Sequence, residues 1–318
     1  MGSQAFGLIS IVDIGTLSDY SQTMAETEVL RRFNRAWSQR VGLLEESYLG
    51  QGRSLGASRL LFEMGRDGTG VRELRRRLGL DSGYLSRLLR SLEDDRLVDV
   101  RPDPADQRRR VVVPTTKGRR AIERLEERSE ERALTLVAPL GESQRRRLAD
   151  ALASAERLIR AATCTVESVD VASEEAVAAV RRYFEELDRR FPGGYEPGDA
   201  VTGDLATMRP PAGDFLVVRE GCDVVACGGL HSHSRTIGEI KRMWVDPAWR
   251  GCGLAVRLLS ALEARADELG YREVYLDSNA TLVEAIAMYE RAGYRRIERY
   301  NDNPYAQAWF AKRLSRSS

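Results

Sequence analysis

The stretch of this 318-residue chain best equipped for chemistry is WVDPAWRGCGLAVRLL, residues 244–259. A strand ending at Val245 runs into a short loop, and Arg250-Gly251-Cys252-Gly253-Leu254-Ala255 opens a helix. Glycines at those points let the backbone approach a ligand closely. The free amides of a first helical turn, at the positive end of its dipole, then cradle a pyrophosphate. Other phosphate-binding designs fit less well, because there is no Gly-Lys-Ser/Thr and no GxGxxG after an early strand. His231 and His233, the only histidines, fall on one side of a strand. Without a third ligand nearby they are not expected to hold a metal. Four cysteines (Cys164, Cys222, Cys227, Cys252) without a CxxC pair speak against a disulfide framework and a thiolate zinc site.

A second constellation lies in GVRELRRRLGLDSGYLSRLLRSLEDDRLVDVRPDPADQRRRVVVPTTKG, which has the organisation of a winged helix-turn-helix. Val71, Leu74 and Leu78 give one short helix its buried face, Gly79 supplies the turn, and Asp81 or Ser82 caps the next helix. In that second helix Leu85, Leu88, Leu89 and Leu92 face inward. Ser82, Tyr84, Ser86, Arg87 and Arg90 are left on the outer, N-terminal part that enters the major groove in this motif. Arginine grips guanine bidentately, and hydroxyls suit phosphate or base edges. The following two strands would present Arg108 and Arg109 at the ribbon tip, to a minor groove or the backbone. Between Arg101 and Arg120 stand seven cations and two anions, Asp103 and Asp106.

Both constellations resemble known families. DSGYLSRLLRSLE, the wing signature Asp106-x-Arg108 and Thr115-x-x-Gly118 resemble the MarR family of winged-helix regulators over about residues 24–162. The resemblance implies that Asp106 holds Arg108 toward double-stranded operator DNA. Pro114 stands where the family usually has leucine, which concerns the packing of the wing. R-x-x-G-x-A after R-M-W-V, with LDSNATLVEAIAMYERAGYRRI further on, resembles the GNAT N-acetyltransferase superfamily over about residues 165–314. It implies acetyl-CoA as donor and direct transfer to an amine in a ternary complex, with no covalent role for Cys252. By the same resemblance the Met243-Trp244-Val245 backbone meets the acetyl and pantetheine, and Arg250 to Ala255 meet the pyrophosphate. Asn279 and Ala285 flank CoA, and Tyr289 protonates the departing thiolate, a sensible task for a phenol. Many members carry asparagine seven residues before that tyrosine; here the position is Leu282, with Asn279 three residues earlier. Glu239, six residues before Val245 and by alternation on its face, is the expected base. Partial desolvation would raise its pKa into a useful range.

The elements that must position these groups are of two kinds. From Met24 to about Ala162 the apolar spacing is helical, with helices expected over 25–48, 55–64, 117–137 and 142–162. Long charged helices with a narrow apolar stripe usually find their cover in a partner subunit, so a homodimer through this half is expected. Past residue 163 strand and helix alternate. The expected organisation is a flexible segment over 1–23, a mainly-α MarR-like domain over 24–162, and an α/β GNAT domain over 163–318. Charge follows the division. Residues 1–160 hold 29 basic and 24 acidic side chains, a net +5, whereas the rest of the 49 and 48 leave 20 and 24, a net −4. A basic half meets a polyanion. No apolar run approaches the ~18 residues of a membrane span, and the opening residues lack a basic n-region, so a cytoplasmic protein is expected. The joint reading is a DNA-binding regulator fused to an acetyltransferase. Its alternative is a regulator whose second half senses acetyl-CoA without turnover. The types and spacing of residues do not name the acceptor.

Overall fold

The computed structural model describes residues 17–43, 47–196 and 205–314. The chain divides into two compact units, residues 1–142 and 143–318.

In the first unit, α1 spans Leu17–Arg40. It starts eight residues earlier than the periodicity indicated and stops before Gly42, whose φ of 71° suits glycine. Of the segment expected to be flexible, residues 1–16 lie outside the described residues, while Leu17–Thr23 is helical. Leu44 also lies outside them. Met24, Val29, Leu30, Phe33 and Trp37 are exposed on α1, with the Phe33 and Trp37 rings stacked at 6.0 Å. Helix α2 (Leu55–Met64) is capped by Ser54, α3 spans Val71–Leu78, and Gly79 makes the left-handed turn before α4 (Ser82–Asp94). A small sheet, in the order β1-β3-β2, joins Thr69–Gly70, Arg110–Pro114 and Val98–Pro102. Leu60, Leu61, Leu74, Leu92, Leu97 and Ile122 are sealed in the core, the last contributed by α5 (Thr116–Val137).

The second unit begins with α6 (Glu142–Thr163). The boundary expected at residues 162/163 therefore differs from the contact division at 142/143. The physical reason is the end of α6. Arg160 pairs with Glu220 and lies 4.5 Å above the Trp249 ring, Arg257 donates to the Ala161 carbonyl, and Ala161 is buried in this unit's core.

Its seven strands are β4 (Thr165–Ser168), β5 (Asp214–Glu220), β6 (Asp223–Ser234), β7 (Ile237–Val245), β8 (Glu273–Ser278), β9 (Arg295–Ile297) and β10 (Ala308–Arg313). They lie in the order β4-β5-β6-β7-β8-β10-β9. Helix α7 (Glu174–Arg190) packs Ala176, Ala179, Val180 and Phe184 against one face, with Phe215, Val217 and Trp244. Helix α8 (Leu254–Glu268) packs Leu254, Leu258, Leu259 and Leu262 against the other, with Ile240 and Leu276. Helix α9 (Val283–Arg291) follows β8.

Two irregularities shape the site. Strands β7 and β8 run parallel and are paired only at Ile237–Glu239 against Glu273–Tyr275, after which they part. Strand β7 also carries a bulge, because Cys227 opposes Trp244 while Gly229 opposes Lys241. The extra residue is accommodated by Arg242 at φ 58°, a left-handed conformation unusual for a side chain of this size. The bulge overturns the alternation argument for Glu239. Beyond it Met243 and Val245 join Ile240 on the α8 side, so Glu239 and Val245 are on opposite faces.

Candidate functional site

Where β7 and β8 part, a cleft of about 580 Å³ opens between them. Glu239, Lys241, Arg242, Asp277, Asn279 and Tyr289 are among the side chains that line it, with Tyr195 and Tyr305 from two loops. The loops are tied together, since the Glu196 amide donates to the Tyr305 hydroxyl at 3.0 Å and the Tyr195 and Tyr305 rings meet at 4.6 Å.

A short loop leads from β7 to the start of α8. Gly251 and Gly253 have φ of 78° and 85°, and a Cβ on either would meet open space. The amides of Leu254, Ala255 and Val256 belong to the first helical turn, which has no intrahelical acceptors for them. This concave row of donors suits a pyrophosphate, as the glycine spacing indicated. The Arg250 side chain contributes differently. It donates through Nε and Nη2 to the Val245 carbonyl at 3.2 Å and pairs with the buried Glu186, which also accepts from Trp244 Nε1 at 2.9 Å. Arg250 is thus a strut beneath the loop, and the Trp244 side chain is turned into the α7 core. Met243, Ala285 and Leu282 line the cleft. Asn279 does so too, but its amide is spent on the Tyr305 carbonyl at 2.7 Å and on Thr281. Cys252 donates to the Trp249 carbonyl.

Tyr289 on α9 is buried at the cleft, between the rings of Tyr294 and Phe310. Burial, aided by the charge of Asp277, pushes its pKa well above that of a free phenol, so it enters any reaction carrying its proton.

Glu239 departs from expectation. Burial alone would raise its pKa, but His231, Lys241 and Tyr300 outweigh it and hold the group at about 2. Its Oε1 accepts from Lys241 Nζ and the Tyr300 hydroxyl, both at 2.7 Å, and from Asn301 at 3.3 Å. Its Oε2 lies 3.0 Å from His231 Nε2. The raised pKa expected of a base is therefore corrected: a carboxylate accepting from Lys241, Tyr300 and Asn301, with His231 Nε2 close by, stays ionised and holds a proton poorly. Lys241 also reaches Asp277 at 3.1 Å, and Asp277 accepts from Asn301 and Asn303. Burial would lower the Lys241 pKa, but the two carboxylates raise it, and the ammonium stays charged. His231 and Tyr300 carry no local signal for this network, whereas Asn301 and Asn303 lie in the segment NDNPYAQAWFAKRL, whose position in the sequence suggests a wall of the acceptor pocket.

The first unit presents the winged-helix surface. Asp81 caps α4 by accepting from the Tyr84 amide at 2.8 Å. Ser82, Arg87 and Arg90 are exposed, Ser86 is half-buried, and the four leucines are buried as their spacing required. Tyr84 is turned toward α2, its hydroxyl filling the space above Gly56, and less toward the outer face than expected. At the wing tip Asp106 accepts from the Arg108 amide at 3.0 Å but forms its ion pair with Arg109, at 3.2 Å. The aspartate thus steers Arg109, and Arg108 is placed by its backbone. Pro114 fits without disturbance: it is buried and in register with Val98, and Thr115 donates to the Arg96 carbonyl.

A mixed sheet split between two parallel strands, a glycine-lined helix start and a buried phenol define an acyl-CoA transferase fold. Family models agree on both halves: residues 180–294 match the acetyltransferase (GNAT) family and residues 51–109 the MarR family. The chain is 33% identical over 129 residues to an IAA acetyltransferase of Azospirillum brasilense, covering 40% of this chain and 84% of that protein. It is 37% identical over 109 residues to an N-acetyltransferase of Escherichia coli, covering 33% of this chain and 65% of that one. A crystal structure of a GNAT-family acetyltransferase from Staphylococcus aureus covers 48% of this chain and all of its own, at 13% identity and a TM-score of 0.43. The chain belongs to the GNAT acetyltransferase family, as an acetyl-CoA-dependent N-acyltransferase that also carries a MarR-family region.

Proposed function

We propose that this protein is a homodimeric, operator-binding regulator whose second unit moves an acetyl group from acetyl-CoA to an amine by direct transfer. The observation that carries the enzymatic half is a buried phenol that keeps its proton and lines the cleft where β7 and β8 part, with the glycine-flanked amide row opening α8 in support. Bound acetyl-CoA would lay its pyrophosphate on the amides of Gly251 to Ala255 and its pantetheine along Met243, Leu282 and Ala285. Tyr289 would then stand at the thioester, where the amine attacks the carbonyl carbon, the C–S bond breaks, and the phenol gives its proton to the thiolate. A sensor that merely binds acetyl-CoA needs the amide row but no proton donor, so Tyr289 favours the enzyme.

The DNA-binding half rests on exposed Arg87 and Arg90 on α4, and on Arg108 and Arg109 at the wing. Dimerisation rests on the apolar stripe of α1. Among the described residues no helix is long and apolar enough to cross a membrane, in keeping with a cytoplasmic site of action.

The test is release of free thiol from acetyl-CoA against amino acids, polyamines, aminoglycosides and lysine peptides, with Tyr289→Phe alongside. Turnover on one class, lowered about a hundredfold in the variant with acetyl-CoA binding retained, is expected. Tight binding without turnover across the panel would favour the sensor. For the first unit, the Arg87→Ala/Arg109→Ala pair should weaken binding to a selected duplex and reduce its salt dependence.

A further inference from the structure

If Glu239 holds protons poorly, another group must take the proton that an ammonium acceptor sheds before it attacks. Resting on the acetyltransferase reading above, we propose that His231 is this base, a catalytic residue, and that Glu239 is the positioning residue that orients it.

His231 on β6 is in register with Glu239 on β7, and the pairing brings its Nε2 to 3.0 Å from Oε2. The imidazole lines the same cleft as Tyr289, Lys241 and Asp277. Nε2 is buried 3.0 Å from Oε2 without the alignment of a hydrogen bond, which a small turn of the ring would supply, and Nδ1 is then the nitrogen left for the acceptor, directly or through one water. A carboxylate on one ring nitrogen fixes the tautomer and stabilises the imidazolium formed when the other takes a proton, the division of labour in carboxylate–histidine pairs.

The surroundings suit that task. From β7 His231 faces Glu239 and, beyond it, Lys241; from β8 Asp277 acts through Lys241; from the loop after β9 Tyr300 and Asn301 bind the same carboxylate. On β6 itself His233 is occupied by the rings of Tyr275 and Tyr300, at 5.5 and 5.2 Å. Glu239 and Asp277 share the ammonium of Lys241, and the buried Arg242 lines the same cleft.

The protons balance. An acceptor R–NH3+ gives one proton to His231 and becomes nucleophilic. Its nitrogen forms the new N–C bond, the tetrahedral centre collapses, and the electron pair of the C–S bond leaves on sulfur. Tyr289 protonates that thiolate and is itself restored by the second proton leaving nitrogen as the amide forms. His231 returns its proton to solvent.

The experiment compares wild type, His231→Gln and Glu239→Gln on the acceptor that the thiol-release panel identifies, measuring kcat, KM and the pH profile. Acetyl-CoA affinity is measured separately by isothermal titration. His231→Gln is expected to lose about a hundredfold in kcat and the acid limb of its profile, with acetyl-CoA affinity within about twofold of wild type. Glu239→Gln is expected to keep that limb, because the imidazole that takes the proton is still present. Were Glu239 itself the base, its variant would lose the limb instead. As a safeguard against a folding defect, His231→Ala should regain activity with added free imidazole, which no structural role would produce. Unchanged kcat and pH profile in His231→Gln would overturn the assignment, as would failure of imidazole rescue. Absence of turnover in the wild type would instead overturn the acetyltransferase reading beneath it.

Discussion

Replacing Glu239 by glutamine should remove a specific part of the acid sensitivity of the second unit. An ordinary glutamate titrates near 4.5, and this one is held at about 2. At roughly 1.4 kcal/mol per tenfold, the folded state holds the ionised form better by about 3 kcal/mol. The depressed pKa fixes the sign: the contribution is fully present above pH 4.5 and drains away as pH falls toward 2. At pH 3 the folded group is still mostly ionised while the unfolded one is protonated, a ratio of about thirtyfold, so about 2 kcal/mol is gone. Urea unfolding followed by tryptophan fluorescence reports the right unit, because Trp244, Trp249 and Trp309 lie in it and only Trp37 lies in the other. Between pH 7 and pH 3 the wild type is expected to lose about 2 kcal/mol more than Glu239→Gln, which starts lower at neutral pH. Equal losses in the two proteins would refute the claim that the network holds this carboxylate ionised.

Other substitutions probe single features. Gly118→Ala drives a Cβ into the Leu97 carbonyl where α5 begins, and should cost the first unit about 1–3 kcal/mol in thermal unfolding. Gly253→Ala imposes a side chain at φ 85° in open space, so it strains the loop without a clash. It should cost about 1 kcal/mol and raise the KM for acetyl-CoA about fivefold while leaving kcat near wild type, read in the thiol assay. Phe33→Glu with Trp37→Glu places charge in the exposed stripe of α1 and should shift sedimentation from dimer to monomer.

Much of this architecture is written locally. The leucines of α4, the left-handed turn at Gly79 and the glycines around Cys252 each carry their signal within a few residues, because helix faces and positive φ demand particular side chains. Gly118 also becomes intelligible, since the Leu97 carbonyl occupies the place of its side chain. What could not be read depends on distance or on an unmarked irregularity. Arg242 takes a left-handed conformation without being glycine or asparagine, so nothing announces the bulge that separates Glu239 from Val245. The low pKa of Glu239 is built from β6, β7 and a loop beyond β9. Choosing Arg109 over Arg108 as the partner of Asp106 is a matter of wing-tip geometry that spacing does not encode. The end of α6 joins the second unit because Arg160, Ala161 and Arg257 find partners there, which a periodicity count does not see.

The parting of β7 and β8 also has a thermodynamic meaning. Past Glu239 and Tyr275 the two strands no longer satisfy each other, and an incomplete sheet is left inside the molecule. On an outer surface such an edge invites pairing with other chains. Here α9 and the loop carrying Tyr305 help to line the cleft that this edge borders. A donor that fills the gap binds the folded state and not the unfolded chain. At a hundred times its dissociation constant it adds about 2.7 kcal/mol to stability by mass action alone. The persistence of the folded second unit is thereby tied to the supply of the molecule that completes it.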